Sequence, residues 1–171
     1  MKFKVGDKVV YPNHGVGVIK AIRDQQIRGE TSTFISLQIL STDSIVLVPV
    51  QNSSSVGLRK LVSRNKVRQV LDKLKTAEVD IPTDWKGRYQ ENQEKMRSGD
   101  LEQVAEVLKN LTYLNTVKTL SYRERKMLDR ARALVVSELA EASQQQFPKV
   151  ERQVDEAMSD ILGASSSSAT H

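Results

Sequence analysis

The chain contains no cysteine, few aromatic residues and no long apolar run. The absence of cysteine excludes disulfides, thiolate nucleophiles and cysteine-based zinc or iron–sulfur sites. Because aromatic residues make up only 5% of the 171 residues, a hydrophobic core must depend on Val, Leu and Ile. No window approaches the roughly 20 apolar residues of a membrane span, and no apolar segment follows the basic N-terminus as in a secretory signal. We therefore expect a soluble, cytoplasmic protein with no membrane partner.

Histidine is also scarce, and its positions do not favour catalysis. His14 lies in a predicted turn and His171 ends the chain, and neither has a metal-binding or catalytic-triad partner close in sequence. Gly15 and Gly17 suggest a phosphate loop, but the G-x-G-x-x-G and Walker A patterns are missing and no helix is predicted after them. We expect a protein that is not an enzyme, with no cofactor, no metal site and no small-molecule substrate.

The first 50 or so residues have the patterns of β structure. A strand is predicted over 8–11, and Pro, Asn and Gly indicate a turn over 12–15. Residues 34–40 alternate cleanly, with Ile35, Leu37 and Ile39 on one face, as in a half-buried strand. This alternation predicts a small antiparallel sheet at the start of the chain.

The segment SIVLVPV, residues 44–50, is apolar on both faces. One face contains the valines at 46, 48 and 50, and the other contains Ile45, Leu47 and Pro49. Pro49 has no N–H to donate to a central strand, so we predict that this strand lies at a sheet edge. An apolar edge strand needs a cover, which either closure of a small barrel or a partner protein can provide.

Every periodicity after the serine-rich stretch at 51–60 is helical. Ser63, Asp100 and the capping box that begins at Ser121 predict helix starts, and Gly99 predicts a helix end. We thus predict an α+β chain with two domains, a β domain and an all-α helical bundle. The predicted boundaries are a β domain over 1–52, a linker over 53–62, a helical domain over 63–162 and a disordered tail over 163–171.

Basic residues cluster in the helical part, and the net charge is +5. Arg123, Lys126 and Arg130 recur at three- and four-residue spacing, which places them on one face of a helix. The cluster also includes Lys118, Arg125 and Arg132. Such a strip is explained equally well by a solvated helix surface and by contacts to phosphates, which would be insensitive to base sequence.

Trp85 is the only tryptophan, and it lies among polar residues near a predicted helix start. Its spacing to Tyr89 and Met96 is helical, so the indole can pack onto the bundle. Alternatively Trp85 is exposed between Lys86 and Arg88, where its apolar body could press against an unstacked base step while the cations contact phosphates. The residues by themselves leave both interpretations open.

Five segments form an ordered pattern over about residues 1–142. In chain order they are FKVGDKVVYPNHGVGVI, VPV, SVGLRKL, TDWKGRYQENQEKMRSGD and LSYRERKMLDRAR. Their order and distances resemble the CarD/CdnL family of bacterial transcription regulators. The chain is similar to the short CdnL type, because it has neither the long basic, metal-binding extension of larger CarD proteins nor the ATPase motifs of repair coupling factors.

The resemblance implies a Tudor-like N-terminal domain, a small β-barrel or sheet, followed by a helical DNA-binding domain. It further implies that the helical domain lies at the upstream fork of the promoter bubble. There a tryptophan that matches Trp85 would wedge into the minor groove and slow bubble collapse. Lys86, Arg88, Arg125 and Lys126 would contact the neighbouring phosphates, and the strip adds Arg123 and Arg130.

The resemblance also implies that an exposed strand edge docks on the RNA polymerase β subunit. The family's contact maps to the strand with Ile45, Leu47 and Pro49. Some relatives carry arginines at the positions of Gln25 and Leu47, and this chain does not, which implies a more apolar contact led by the main chain. The sequence hypothesis is therefore a regulator that stabilises the promoter open complex. Its alternatives are an architectural DNA-binding protein and a protein-only adaptor in which Trp85 is buried.

Overall fold

The computed structural model describes two units, which are treated separately below. The first spans Met1–Leu61 and the second Val62–His171. Within them the described residues are 3–53, 55–76, 79, 81 and 84–168, with the backbone alone described for 164–168.

The first unit is a five-stranded antiparallel sheet, as the sequence predicted. The strands are β1 (Lys8–Tyr11), β2 (Gly15–Ile27), β3 (Glu30–Ile39), β4 (Ile45–Pro49) and β5 (Arg59–Lys60). Their order across the sheet is β4-β3-β2-β1-β5. Ile35, Leu37 and Ile39 all point into the core of this unit together with Val9 and Ile19, so the predicted alternation of β3 is confirmed.

The longest hairpin joins β2 to β3 through a tight turn. Arg28 and Gly29 have φ values of 54° and 79°, the positive values that two-residue hairpin turns require. Residues Asp24 to Ile27 pair with β3 beyond the point where β4 ends, since β4 pairs only with Phe34 to Gln38. The hairpin end is thus a two-stranded extension of the sheet.

The predicted linker over 53–62 is wrong in its second half, because that segment returns to the sheet. Arg59 and Lys60 form β5 and pair with Val10 and Val9 of β1. Leu58, just before β5, is buried in the sheet's core. The serine-rich composition indicated a connection, but a buried leucine and two ladder pairs extend the first unit to residue 61.

The described residues of the second unit form six helices. They are α1 (Arg64–Lys75), α2 (Trp85–Ser98), α3 (Leu101–Val117), α4 (Tyr122–Ser143), α5 (Phe147–Ala157) and α6 (Ser159–Ser168). The predicted caps are confirmed, since the side chains of Ser63, Asp100 and Ser121 each accept a hydrogen bond from a backbone N–H in the first turn. Gly99 ends α2 with a φ of 73°, a left-handed conformation that suits glycine.

The first part of the C-terminal segment packs on this helical core, within the predicted helical domain. The sequence predicted a disordered tail from 163. Val150, Val154 and Ile161 are buried with the rest of the core, and α6 continues to Ser168. The helical backbone therefore extends through 163–168, and the remainder of the predicted tail, 169–171, lies outside the described residues. Among the described helices, none is both long and apolar enough to cross a membrane.

Gly17 offers a test of the packing in the sheet, because it lies between two paired strands. It pairs with Val9 of β1 and Ile39 of β3, and an added Cβ would lie 2.8 Å from Cγ of Leu37 and 3.1 Å from the carbonyl oxygen of Gln38. Because Leu37 is buried and cannot swing away freely, we expect Gly17→Ala to lower the unfolding free energy of the sheet by about 1–3 kcal/mol.

Amide hydrogen exchange of β2 and β3 measures this loss. Val5→Ala is the control, because Val5 is exposed in the same unit and its truncation should leave exchange nearly unchanged. Equal protection in Gly17→Ala and Val5→Ala would contradict the packing described here.

Candidate nucleic-acid and partner interfaces

A buried ion pair joins the first turn of α2 to the first turn of α4. The guanidinium of Arg88 donates from Nε to Oε2 of Glu124 at 2.9 Å and from Nη2 to Oε1 at 3.2 Å. Arg88 is only 4% exposed and Glu124 only 1%. A two-pronged pair of this kind fixes direction as well as distance, so it sets how the two helix starts lie relative to each other.

The surroundings of Glu124 keep it ionised. Burial raises the pKa of this carboxyl, but the hydrogen bonds and charge of Arg88 outweigh burial and, with the charge of Lys118, hold the pKa below its ordinary value. The side chain of Trp85 contributes a further, smaller lowering of this pKa. The carboxylate of Glu124 therefore connects Arg88 of α2 to the start of α4.

Trp85 is neither fully packed nor fully exposed. It is the first residue of α2 and is 39% exposed. Its ring stacks on Tyr89 with a centroid distance of 5.7 Å and an interplanar angle of 11°. One face of the indole is therefore covered by Tyr89 within the helix, and part of the ring stays accessible.

Cations surround this part of the helical unit. We call the set of exposed basic residues in the ranges 84–88 and 117–130 the basic end. Its members are Lys86, Lys118, Arg123, Arg125, Lys126 and Arg130. In the same ranges only Asp84 and Asp129 are exposed acids, because Glu124 is buried and paired. The starts of α2 and α4 also contribute partial positive charge from their N-terminal backbone amides.

Two basic residues of the sequence analysis do not belong to this surface. Arg88 was expected to contact phosphate, but it is buried and both of its described donors are directed at Glu124, so that expectation is wrong. Arg132 instead pairs with two acids of α5, donating to Asp155 at 2.5 Å and to Glu151 at 3.5 Å. Arg132 therefore helps to hold α5 against α4.

Neither Glu124 nor Tyr122 was predicted as a site residue from the sequence. Glu124 was predicted only as the fourth and last residue of a capping box, and its backbone N–H does donate to Ser121 Oγ. Its pairing with Arg88, 36 residues away, has no signal in the local sequence. Tyr122 could have been noticed as an aromatic residue at a helix start with no place in the apolar stripe.

The apolar strand β4 lies at the edge of the sheet, which confirms the prediction from Pro49. It pairs with β3 on one side and is the first strand in the sheet order. Val48 points into the core, whereas Ile45 and Leu47 are 56% and 53% exposed. The described residues of this unit therefore leave two large apolar side chains of an edge strand in contact with solvent.

The backbone of β4 also has polar groups that face away from β3. The N–H of Ile39 donates to the carbonyl of Ser44 at 2.9 Å, and antiparallel pairs alternate between bonded and non-bonded. In the observed register this alternation directs the N–H groups of Ile45 and Leu47 outward. Pro49 has the same outward orientation, so β3 loses no hydrogen bond through the missing N–H.

Gln25 lies apart from this edge. It is exposed on β2 and pairs with Ser32 of β3, in the hairpin extension beyond the end of β4. Ile45, Leu47 and Pro49 thus share one strand, and Gln25 is two strands away.

Two family models match the chain, one for each unit. The "CarD-like/TRCF RID domain" matches residues 3–62, and "CarD, C-terminal domain" matches residues 69–155, about half of the chain. The chain belongs to the CarD family. The first match includes β5 and ends where the first unit ends, which agrees with the corrected boundary.

A bacterial relative agrees with this assignment. A protein of Bacillus subtilis (strain 168) named "Putative transcription factor YdeB" is 30% identical over 137 residues, which cover 80% of this chain and 90% of that protein. The solved N-terminal domain of Myxococcus xanthus CarD is 36% identical, with 34% of this chain and 77% of that domain covered and a TM-score of 0.30. CdnLNt of the same organism is 38% identical, with 37% and 90% covered and a TM-score of 0.33.

In this CarD family chain the two candidate interfaces fall in different matched domains. Trp85 and the basic end lie within the region of the CarD C-terminal domain, and β4 lies within the RID region. Each interface can therefore be altered by substitution without changing the domain that contains the other.

The Arg88–Glu124 pair can be tested by removing its negative charge. Glu124→Gln keeps the side-chain volume but leaves the guanidinium of Arg88 buried without a counter-charge, so we expect a loss of about 3 kcal/mol in unfolding free energy. Urea unfolding followed by Trp85 fluorescence measures it, because the only tryptophan lies in this unit.

Glu106→Gln is the control for this substitution. Glu106 also forms an ion pair, with Lys95, but its side chain is half exposed, so its loss should cost at most about 1 kcal/mol. Similar costs for the two substitutions would mean that the buried pair has no special role in holding α2 to α4.

Proposed function

We propose that this protein regulates transcription by docking on the RNA polymerase β subunit and stabilising the promoter open complex with Trp85. Membership in the CarD family supports the transcriptional role. The observation that carries the finer proposal is the placement of Trp85, partly exposed, anchored on a buried ion pair and surrounded by the basic end.

The proposed DNA contact follows from the chemistry of the basic end. Phosphates are attracted by its exposed cations and by the helix starts. The two ranges of the basic end contain no Asn or Gln that would read adenine edges in the major groove, and we expect its cations to contact phosphates, so the affinity should depend on salt and little on base sequence. The partner of this surface is then promoter DNA at a position that polymerase itself determines.

Trp85 is suited to a wedge at the fork between duplex and single strands. Its apolar ring can press against an exposed base step, as side chains that kink DNA from the minor groove do. Because Tyr89 covers one face of the indole, the ring can stack on one base and not between two. Such a wedge at the upstream edge of the bubble would oppose reannealing of the two strands. Arg88 would contribute by fixing Glu124 and the start of α4, and would not contact phosphate.

The proposed polymerase contact follows from β4. An edge strand with outward N–H groups at Ile45 and Leu47 can accept a strand from another protein, with main-chain hydrogen bonds for affinity and side chains for specificity. Exposed Ile45 and Leu47 would be buried in that pairing. The RID match supports polymerase as the partner.

The first test concerns Trp85 and uses the lifetime of open complexes formed by the cognate polymerase. Wild-type protein should lengthen the lifetime of the open complex, and Trp85→Ala should remove most of that effect. If one stacking contact is lost, the lifetime with the variant should be about tenfold shorter than with the wild type. Binding to polymerase should be unchanged in the variant, because β4 is intact. Full activity of Trp85→Ala would contradict the wedge.

The second test concerns β4 and measures binding of the protein to polymerase. Leu47→Glu places a negative charge where an apolar contact is proposed, so we expect affinity to fall at least tenfold while the sheet stays folded, because Leu47 is exposed. Val5→Glu is the control, since Val5 is also apolar and exposed but lies outside β4. If both variants bind as well as the wild type, the edge is not the docking surface.

The same experiments distinguish the other two functions that the sequence left open. An architectural DNA-binding protein would bind duplex DNA tightly at physiological salt and would be insensitive to Leu47→Glu. A protein-only adaptor would show no dependence on Trp85, whose partial exposure already argues against a purely structural role.

A further inference from the structure

Tyr122 is an aromatic side chain without a structural role in the core. It is the first residue of α4 and is 71% exposed, the highest value among the exposed large hydrophobic side chains of the described residues. A ring in that position removes little apolar surface from water, so burial does not explain it. Its surface is available to a ligand.

The ring of Tyr122 is held by its neighbours despite this exposure. Nζ of Lys126 lies 4.6 Å from the ring centroid, a cation–π contact one turn along the same helix. Glu124, two residues after Tyr122, is fixed by Arg88. The start of α4 is therefore anchored, and Tyr122 extends from an ordered surface.

The setting of Tyr122 fits a nucleic acid. Aromatic rings that alternate with cations are the usual platform for single strands, because bases stack on the rings while the cations contact the backbone phosphates. Arg123, Arg125 and Lys126 follow Tyr122 directly, and the exposed cations of the basic end outnumber the exposed acids six to two. This excess of cations favours a polyanion as the partner over a protein surface with few acidic residues.

We propose that Tyr122 is a second base-stacking site, which takes an unpaired base of the strand that leaves the duplex beside Trp85. The proposal rests on the proposed function and adds a residue to it. In a duplex both faces of each base are covered by its neighbours, so a protruding ring finds a free face only on an unpaired base. Trp85 would then contact the fork itself, and Tyr122 the single strand.

The test compares two DNA probes that differ only in whether one arm is unpaired. One is a fork with an unpaired arm that contains the fluorescent base 2-aminopurine, and the other is a fully paired duplex of the same length. Binding is measured at low salt for the wild type, Tyr122→Leu, Tyr122→Phe and Trp85→Ala. The phenylalanine variant keeps the ring, and the leucine variant keeps only apolar volume.

We expect Tyr122→Leu to weaken fork binding by about tenfold and to leave duplex binding unchanged. The wild type and Tyr122→Phe should both quench the 2-aminopurine, since a stacked base loses fluorescence, whereas Tyr122→Leu should not. The same quenching in the leucine variant, an equal loss of duplex affinity, or no rescue by phenylalanine would each overturn the stacking site.

The Trp85 variant and the open-complex lifetime separate this inference from the function it extends. If Trp85→Ala shortens the lifetime while Tyr122→Leu alters neither fork binding nor quenching, the proposed function stands and the role of Tyr122 is refuted. If the wild-type protein fails to bind the fork and also leaves the lifetime unchanged, both proposals fail.

Discussion

The buried pair of Arg88 and Glu124 is the interaction on which the candidate nucleic-acid surface depends. It brings together the starts of two helices that are distant in sequence. The two helix starts that it joins contain Trp85 and Tyr122, and the cations of the basic end lie close to them in sequence. A buried charge is costly unless it is paired, so the site retains its shape only while both partners are present.

The two interfaces are built on different physical principles. The proposed contact of the basic end with a polyanion would depend on charge, so its affinity should decrease as salt increases. The edge of β4 offers outward N–H groups and apolar side chains, and pairing there would bury surface and depend little on salt. A regulator with both could be recruited by a protein and act on DNA, since neither contact needs to be strong alone.

Prediction from sequence succeeded where the signal is local. Alternation identified β3, the helix caps at Ser63, Asp100 and Ser121 were correct, and Pro49 placed β4 at an edge. It failed at β5, because a two-residue strand has too few residues to show alternation and is defined by its pairing with β1. It failed again at Arg88, where an arginine beside lysine in a polar segment has the sequence signature of a surface residue.

The sequence by itself determined the arrangement of a β part followed by helices, the caps at Ser63, Asp100 and Ser121, the apolar edge strand and the cation-rich segment over 118–132. These properties depend on residues a few positions apart, which interact whatever the rest of the chain does. The tertiary structure decided that Arg88 pairs with Glu124 and that Arg132 binds α5. It also decided that Tyr122 stays exposed. Those outcomes depend on which distant carboxylate or surface each side chain meets after packing, and local spacing does not encode that choice.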